Sequence, residues 1–142
     1  MASLALPKDQ PLDRHPDPTI PSGWREPLNV LRVIALDCRS AAQADLFEAC
    51  AVLSNKKSTA RDAHARVLFK CMRQAISRRP VFYRPGVEEV SFDEAWLMRA
   101  ITAVDAGDLD SLTFLIRSRV PKPHQRHIGF LIQGVAEQLS RT

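Results

Sequence analysis

The chain has 142 residues with 45% hydrophobic content, the size and composition of one globular domain with one core. Its net charge of +4 permits an anionic partner without requiring one. Fifteen arginines against five lysines follow codon usage as readily as phosphate binding. Met1 to Pro7 lacks a basic region followed by an apolar run, so no secretory signal is expected, and no apolar stretch reaches the roughly 18 residues of a membrane span. The three cysteines, Cys38, Cys50 and Cys71, are widely spaced among apolar residues, the pattern of free thiols in a reducing compartment. A cytoplasmic location is expected.

Six of the ten prolines fall in the first 27 residues. Proline fixes φ and biases the preceding residue away from helix, so residues 1–27 are expected to form an extended or disordered arm. Its apolar points include Leu4, Leu6, Ile20 and Trp24. Ile20 and Trp24 either dock on the protein's own core or belong to an arm that wraps a partner.

Residues 28–142 read as a single helical domain. Leu28 to Cys38 is apolar nearly all round, which predicts a central buried helix, with a strand as the fallback because of its β-branched residues. Ser40 with Gln43 opens a second helix, to about residue 53. Thr59 with Asp62 opens the longest one, to about Arg78, with Ala60, Ala63, Val67, Leu68, Cys71, Ala75 and Ile76 on its apolar face. Pro80 ends that helix. Val81 to Val90, containing Pro85 and Gly86, reads as an extended connection.

Ser91 with Glu94 is the clearest capping box in the chain, and Trp96, Leu97, Ala100, Ile101 and Val104 line the helix behind it. Gly107 stops that helix and Asp108 caps the next, lined by Leu109, Leu112, Ile116 and Val120. After Pro121 and Pro123 comes a last helix with Ile128, Leu131, Ile132, Val135 and Leu139 on one stripe. The expectation is an all-α bundle of about six helices behind a proline-rich arm.

Catalytic patterns are sparse. The five glycines are scattered, so no phosphate-cradling loop is expected, and neither a paired-histidine zinc motif nor closely spaced cysteines occur. His64 and Cys71 share one face of the long helix, where a buried structural histidine beside an inert thiol is favoured over an activated thiolate. His124 and His127 share a helix start but lie beside Lys122 and Arg126, which would repel a metal ion. No catalytic residue, cofactor or metal is assigned. Asp108 and Asp110 are accounted for as a cap and a dipole partner.

Two surfaces carry binding hypotheses. Residues 55–84 hold nine basic side chains against the single acid Asp62, a local charge of +8 with −4 left for the rest. On a helical wheel Arg66, Lys70 and Arg73 form a stripe opposite the core. With Lys56 and Lys57 it is the candidate anion or nucleic-acid site. The second surface holds Phe114 and Phe130, which miss the core stripes of their helices, with Gly134 one turn beyond Phe130 leaving room for an approaching backbone. These residues and Trp24 are the candidate protein-binding set. The expected function is a non-enzymatic helical interaction or regulatory protein that binds a protein partner or a second copy, with nucleic-acid binding through residues 59–78 as the alternative. A thiol or metal-dependent enzyme comes third.

Overall fold

The computed structural model describes residues 19–40 and 57–141, and within them the chain is all-helical. A 3-10 turn at Ser22–Trp24 leads into α1 (Arg25–Ser40), followed by α2 (Lys57–Ile76), α3 (Phe92–Asp105), α4 (Leu109–Arg119) and α5 (Lys122–Arg141). The expected helix near 41–53, Cys50, Lys56 and the arm's Leu4 and Leu6 lie outside the described residues.

α5 is the hub. It packs along α2 on one side, against α4 on the other and over α3, while α1 lies on α2. Ile128, Leu131, Ile132, Val135 and Ala136 of α5 are all buried, as are Leu97, Met98, Ala100 and Ile101 of α3. Close approach has a sequence cause at two points. A Cβ on Gly129 would stand 3.1 Å from Ile116 Cδ1 of α4, and one on Gly134 would stand 3.2 Å from His64 Cδ2 of α2. The missing side chains let both neighbours sit tightly against α5.

The caps act as their sequences require. Ser91 Oγ accepts from the Glu94 N–H at 3.1 Å, and the Glu94 carboxylate accepts from the Ser91 N–H at 3.0 Å, a complete capping box. Gly107 takes φ +70°, open to glycine at no steric cost, and Asp108 caps α4 through the Ser111 N–H at 3.1 Å. Ser77, at φ +60°, ends α2 in the left-handed region after Ile76, two residues short of the expected boundary near Arg78. At its other end α2 begins at Lys57, so Thr59 and Asp62 fall inside the helix.

The N-terminal residues within view belong to the body. Ile20 is buried, and its N–H donates to Glu88 O at 2.9 Å beside an isolated bridge between Thr19 and Glu89. The indole Nε1 of Trp24 donates to Thr102 Oγ1 at 3.2 Å while its ring packs on the core. α1 starts at Arg25, ahead of Pro27, because a proline in the first helical turn removes an N–H that has no intrahelical partner.

α1 differs from the expected all-round buried helix. Val33 and Leu36 are 47% and 43% exposed, while Arg32 is fully buried. The physical reason is a buried ion pair. Arg32 Nε and Nη2 donate to the two Glu94 oxygens at 2.7 and 3.0 Å, and its remaining N–H groups reach Val87 O and Glu89 O at 2.7 Å. Glu94 also accepts from the Tyr83 N–H at 2.9 Å, so one carboxylate caps α3, neutralises α1 and fastens the 77–91 connection. Leu109 is a smaller correction: at 59% exposed, the first residue of α4 precedes the core contact made by Leu112 and Ile116.

The same connection is held a second time by Asp93, which is buried and accepts a two-pronged contact from Arg78 at 2.8 and 3.0 Å and the Val81 N–H at 2.6 Å. Arg119 of α4 also donates to it. Pro85 and Gly86 make the bend, with Gly86 at φ +93° and the Val87 N–H returning to Arg84 O at 3.2 Å, a turn that needs glycine at its third position.

Candidate functional site: the outer face of α4 and α5

Phe114 lies two residues from both Leu112 and Ile116, and Phe130 two residues from both Ile128 and Ile132. Two residues are about 200° of helix, so each phenylalanine stands diametrically opposite the buried stripe of its own helix. They are 71% and 73% exposed. The tight link through Val120 and Pro121 turns α5 back along α4, and the contact of Ile116 with Gly129 fixes their relative height. Counting back from Ile116 and forward from Gly129 brings Phe114 and Phe130 level to within about one turn, on neighbouring helices at about 8–10 Å axis separation.

Exposed side chains frame this pair. Arg117, Lys122 and Arg126 lie toward the α4–α5 link, and none of them forms an ion pair among the described residues. Toward the opposite end stand Asp110 and Glu137, the latter bridged to Arg141 at 2.9 Å. The face therefore carries aromatic rings at its middle, net positive charge at one end and carboxylates at the other.

The other two members of the candidate protein-binding set are used inside the fold. Gly134 faces His64 at the α2–α5 contact, and Trp24 is half-buried against its own core. The His64 ring is turned toward its own helix, with Nδ1 2.7 Å from Ala60 O. Cys38 and Cys71 are half-buried. Among the described residues no three His, Cys, Asp or Glu side chains gather in a metal-binding group, and no helix is long and apolar enough to cross a membrane.

The basic stripe of α2 is partly engaged. Arg66 is half-buried, with Nη2 3.7 Å from the Asp37 carboxylate and Nη1 3.8 Å from Cys38 Sγ at the contact with α1. Arg61 pairs with Asp62, and Arg78 is drawn off to Asp93, whereas Lys70 and Arg73 are exposed. Lys57 is described only as the backbone start of α2.

The charged interior has no counterpart among the residues expected from the sequence to form the site. Burial pushes the Asp93 carboxyl up, but the Arg78 fork, the Val81 N–H and Arg119 outweigh it and hold the group below the usual aspartate value. The Arg119 guanidinium lies over the rings of Phe92 and Trp96, 4.9 and 5.6 Å from their centres, and its Nη1 has no hydrogen-bond acceptor among the described residues. A signal existed: arginine inside the run Leu31–Ile34 needs a partner if that run is buried, and Glu94 is the nearest thing to one that the caps place at a helix start.

An open groove along α1 is lined by Ser22, Arg25, Glu26, Asn29, Val30 and Val33. Its Arg25 is bound to Glu88 at 3.0 Å, and that guanidinium holds the Glu88 carboxyl below its ordinary value. No protein-family model, curated protein or solved structure matches this chain.

Proposed function

We propose that this chain is a non-enzymatic interaction or regulatory protein, working in the cytoplasm, whose binding surface is the outer face of α4 and α5. The observation that supports it most is the exposure of Phe114 and Phe130 on adjacent helices, level to within about one turn. Single exposed apolar residues are common on soluble proteins, but two large, strongly exposed aromatic rings on consecutive, packed helices are suited to contact with a partner. Phenylalanine offers a large contact area with little side-chain entropy to lose, which suits it to the centre of an interface.

The rigid support argues the same way. Ile116 against Gly129 locks the hairpin, and Trp96 Nε1 donates to Leu115 O at 2.9 Å, tying α4 to α3. A preorganised face loses little freedom on binding. The test uses the tagged chain as bait, compared with its Phe114→Asp/Phe130→Asp variant. Loss of co-purifying proteins, untagged copies of the chain included, with an unchanged thermal melt supports the reading. Equal recovery by both baits refutes it.

A further inference from the structure

We infer that the occupant of the α4–α5 face is a second copy of this chain, docked with its helices antiparallel to the first. The inference rests on the binding role just proposed for Phe114 and Phe130, and adds its partner and geometry.

A symmetric dimer buries the same patch on both subunits, so the patch must complement itself under a twofold rotation. The charge order along this face meets that condition in one orientation. On α5, Arg126 and Glu137 lie about 16 Å apart, with Phe130 and Gln133 between them. On α4, Asp110 and Arg117 lie about 10 Å apart with Phe114 between them. The midpoints of these two pairs fall at the same height, to within about a turn, through the contact of Ile116 with Gly129.

A twofold axis lying in the face and crossing both helices at that height sets α4 on α4 and α5 on α5, running in opposite directions. Arg126 of each copy then meets Glu137 of the other, Arg117 meets Asp110, and the four phenylalanines close over the centre. An axis parallel to the helices would instead bring the ends bearing Arg117, Lys122 and Arg126 together, three cations against three, none of them in an ion pair among the described residues. Like charges on opposing surfaces disfavour that orientation. In the antiparallel arrangement Lys122 stands across from Arg141, and Glu137 shares its one charge between Arg141 of its own copy and Arg126 of the other.

The size of the face sets the strength. With helices roughly 10 Å wide, the 11-residue α4 offers contact over at most about 16 Å and α5 over about 25 Å, which makes about 400 Å² per copy, or about 800 Å² in all. That is below the range of stable specific interfaces, so the dimer is a weak, dissociating one that forms as concentration rises.

Sedimentation equilibrium of the full chain over a concentration series reads the outcome. A reversible monomer–dimer equilibrium is expected, abolished by Phe130→Asp and weakened about tenfold by either Arg126→Glu or Glu137→Arg, because each reversal disrupts two symmetric pairs. The double variant Arg126→Glu/Glu137→Arg restores the pairs in swapped form and recovers the dimer. All these positions are exposed, and an unchanged circular-dichroism melt verifies folding. A monomer at every concentration overturns the dimer, as does a dimer indifferent to Phe130→Asp. A double variant no tighter than its parents overturns the antiparallel register. If the purified chain is monomeric yet the wild-type bait captures another protein that the phenylalanine variant does not, the binding role of the face stands and the second copy alone is eliminated.

Discussion

Removing Glu94 should unfold much more than one helix cap. Its carboxylate takes hydrogen bonds from Arg32 Nε and Nη2 and from the Tyr83 and Ser91 N–H groups, and both members of the ion pair have no exposed side-chain surface. Glu94→Ala leaves the Arg32 guanidinium buried and uncompensated, a change that typically costs about 3–5 kcal/mol. Loss of the capping contact adds to this by about 1 kcal/mol. Against a total stability of about 5–15 kcal/mol for a domain, the variant should be marginal, with a melting temperature lowered by roughly 10–15 °C. Arg32→Met should cost a similar amount, since it strands Glu94 together with Val87 O and Glu89 O. The pair Arg32→Met/Glu94→Gln should then cost at least about 2 kcal/mol less than the sum of its two single changes, because each single change leaves a buried charge that the other removes. Urea unfolding of the four proteins measures this coupling, and strict additivity would refute the bridge as the organiser of α1, α3 and the 77–91 connection.

Three further expectations follow from particular contacts. Asp93, held below its ordinary value, contributes stability that is present above the unfolded carboxyl value of about 4 and is lost as pH falls through the folded one, so acid unfolding should be shallower in Asp93→Asn; an identical pH profile would contradict the assignment. Gly134→Ala gains up to about 1 kcal/mol of helix propensity but presses on His64 Cδ2, so the full gain should appear only when His64→Ala is also present; equal shifts in both backgrounds would show that His64 does not limit the space. Trp24→Phe keeps much of the packing and loses the bond to Thr102, at a cost of about 1 kcal/mol, whereas an unchanged denaturation midpoint would place that indole outside the stability of the fold.

The helices from α3 onward were legible because local chemistry and global packing agree there. The Ser91–Glu94 box, Gly107 with Asp108, and the stripe from Ile128 to Val135 each carry their own signal. α1 was harder. Helical periodicity treats Arg32 as an interruption of an apolar surface, and its burial depends on Glu94, which lies 62 positions away and which the capping rule had already explained. Tertiary pairing of that kind leaves no local trace. The exposure of Phe114 and Phe130 could be anticipated from their offset to the core stripes, but a second buried face was equally consistent with the pattern until the neighbours of α4 and α5 were known. The basic stripe shows the opposite failure: a helical wheel placed Arg66 with Lys70 and Arg73, and only the packing of α1 on α2 brings Asp37 to it.

The claim on which the functional account turns is that Phe114 and Phe130 serve binding and leave the core intact without them. The most direct measurement is a urea denaturation of the Phe114→Asp/Phe130→Asp variant beside the parent, at a concentration where the parent is monomeric. Stability within about 1 kcal/mol of the parent is expected, as for other exposed substitutions. A loss of several kcal/mol would contradict it and return both rings to the interior.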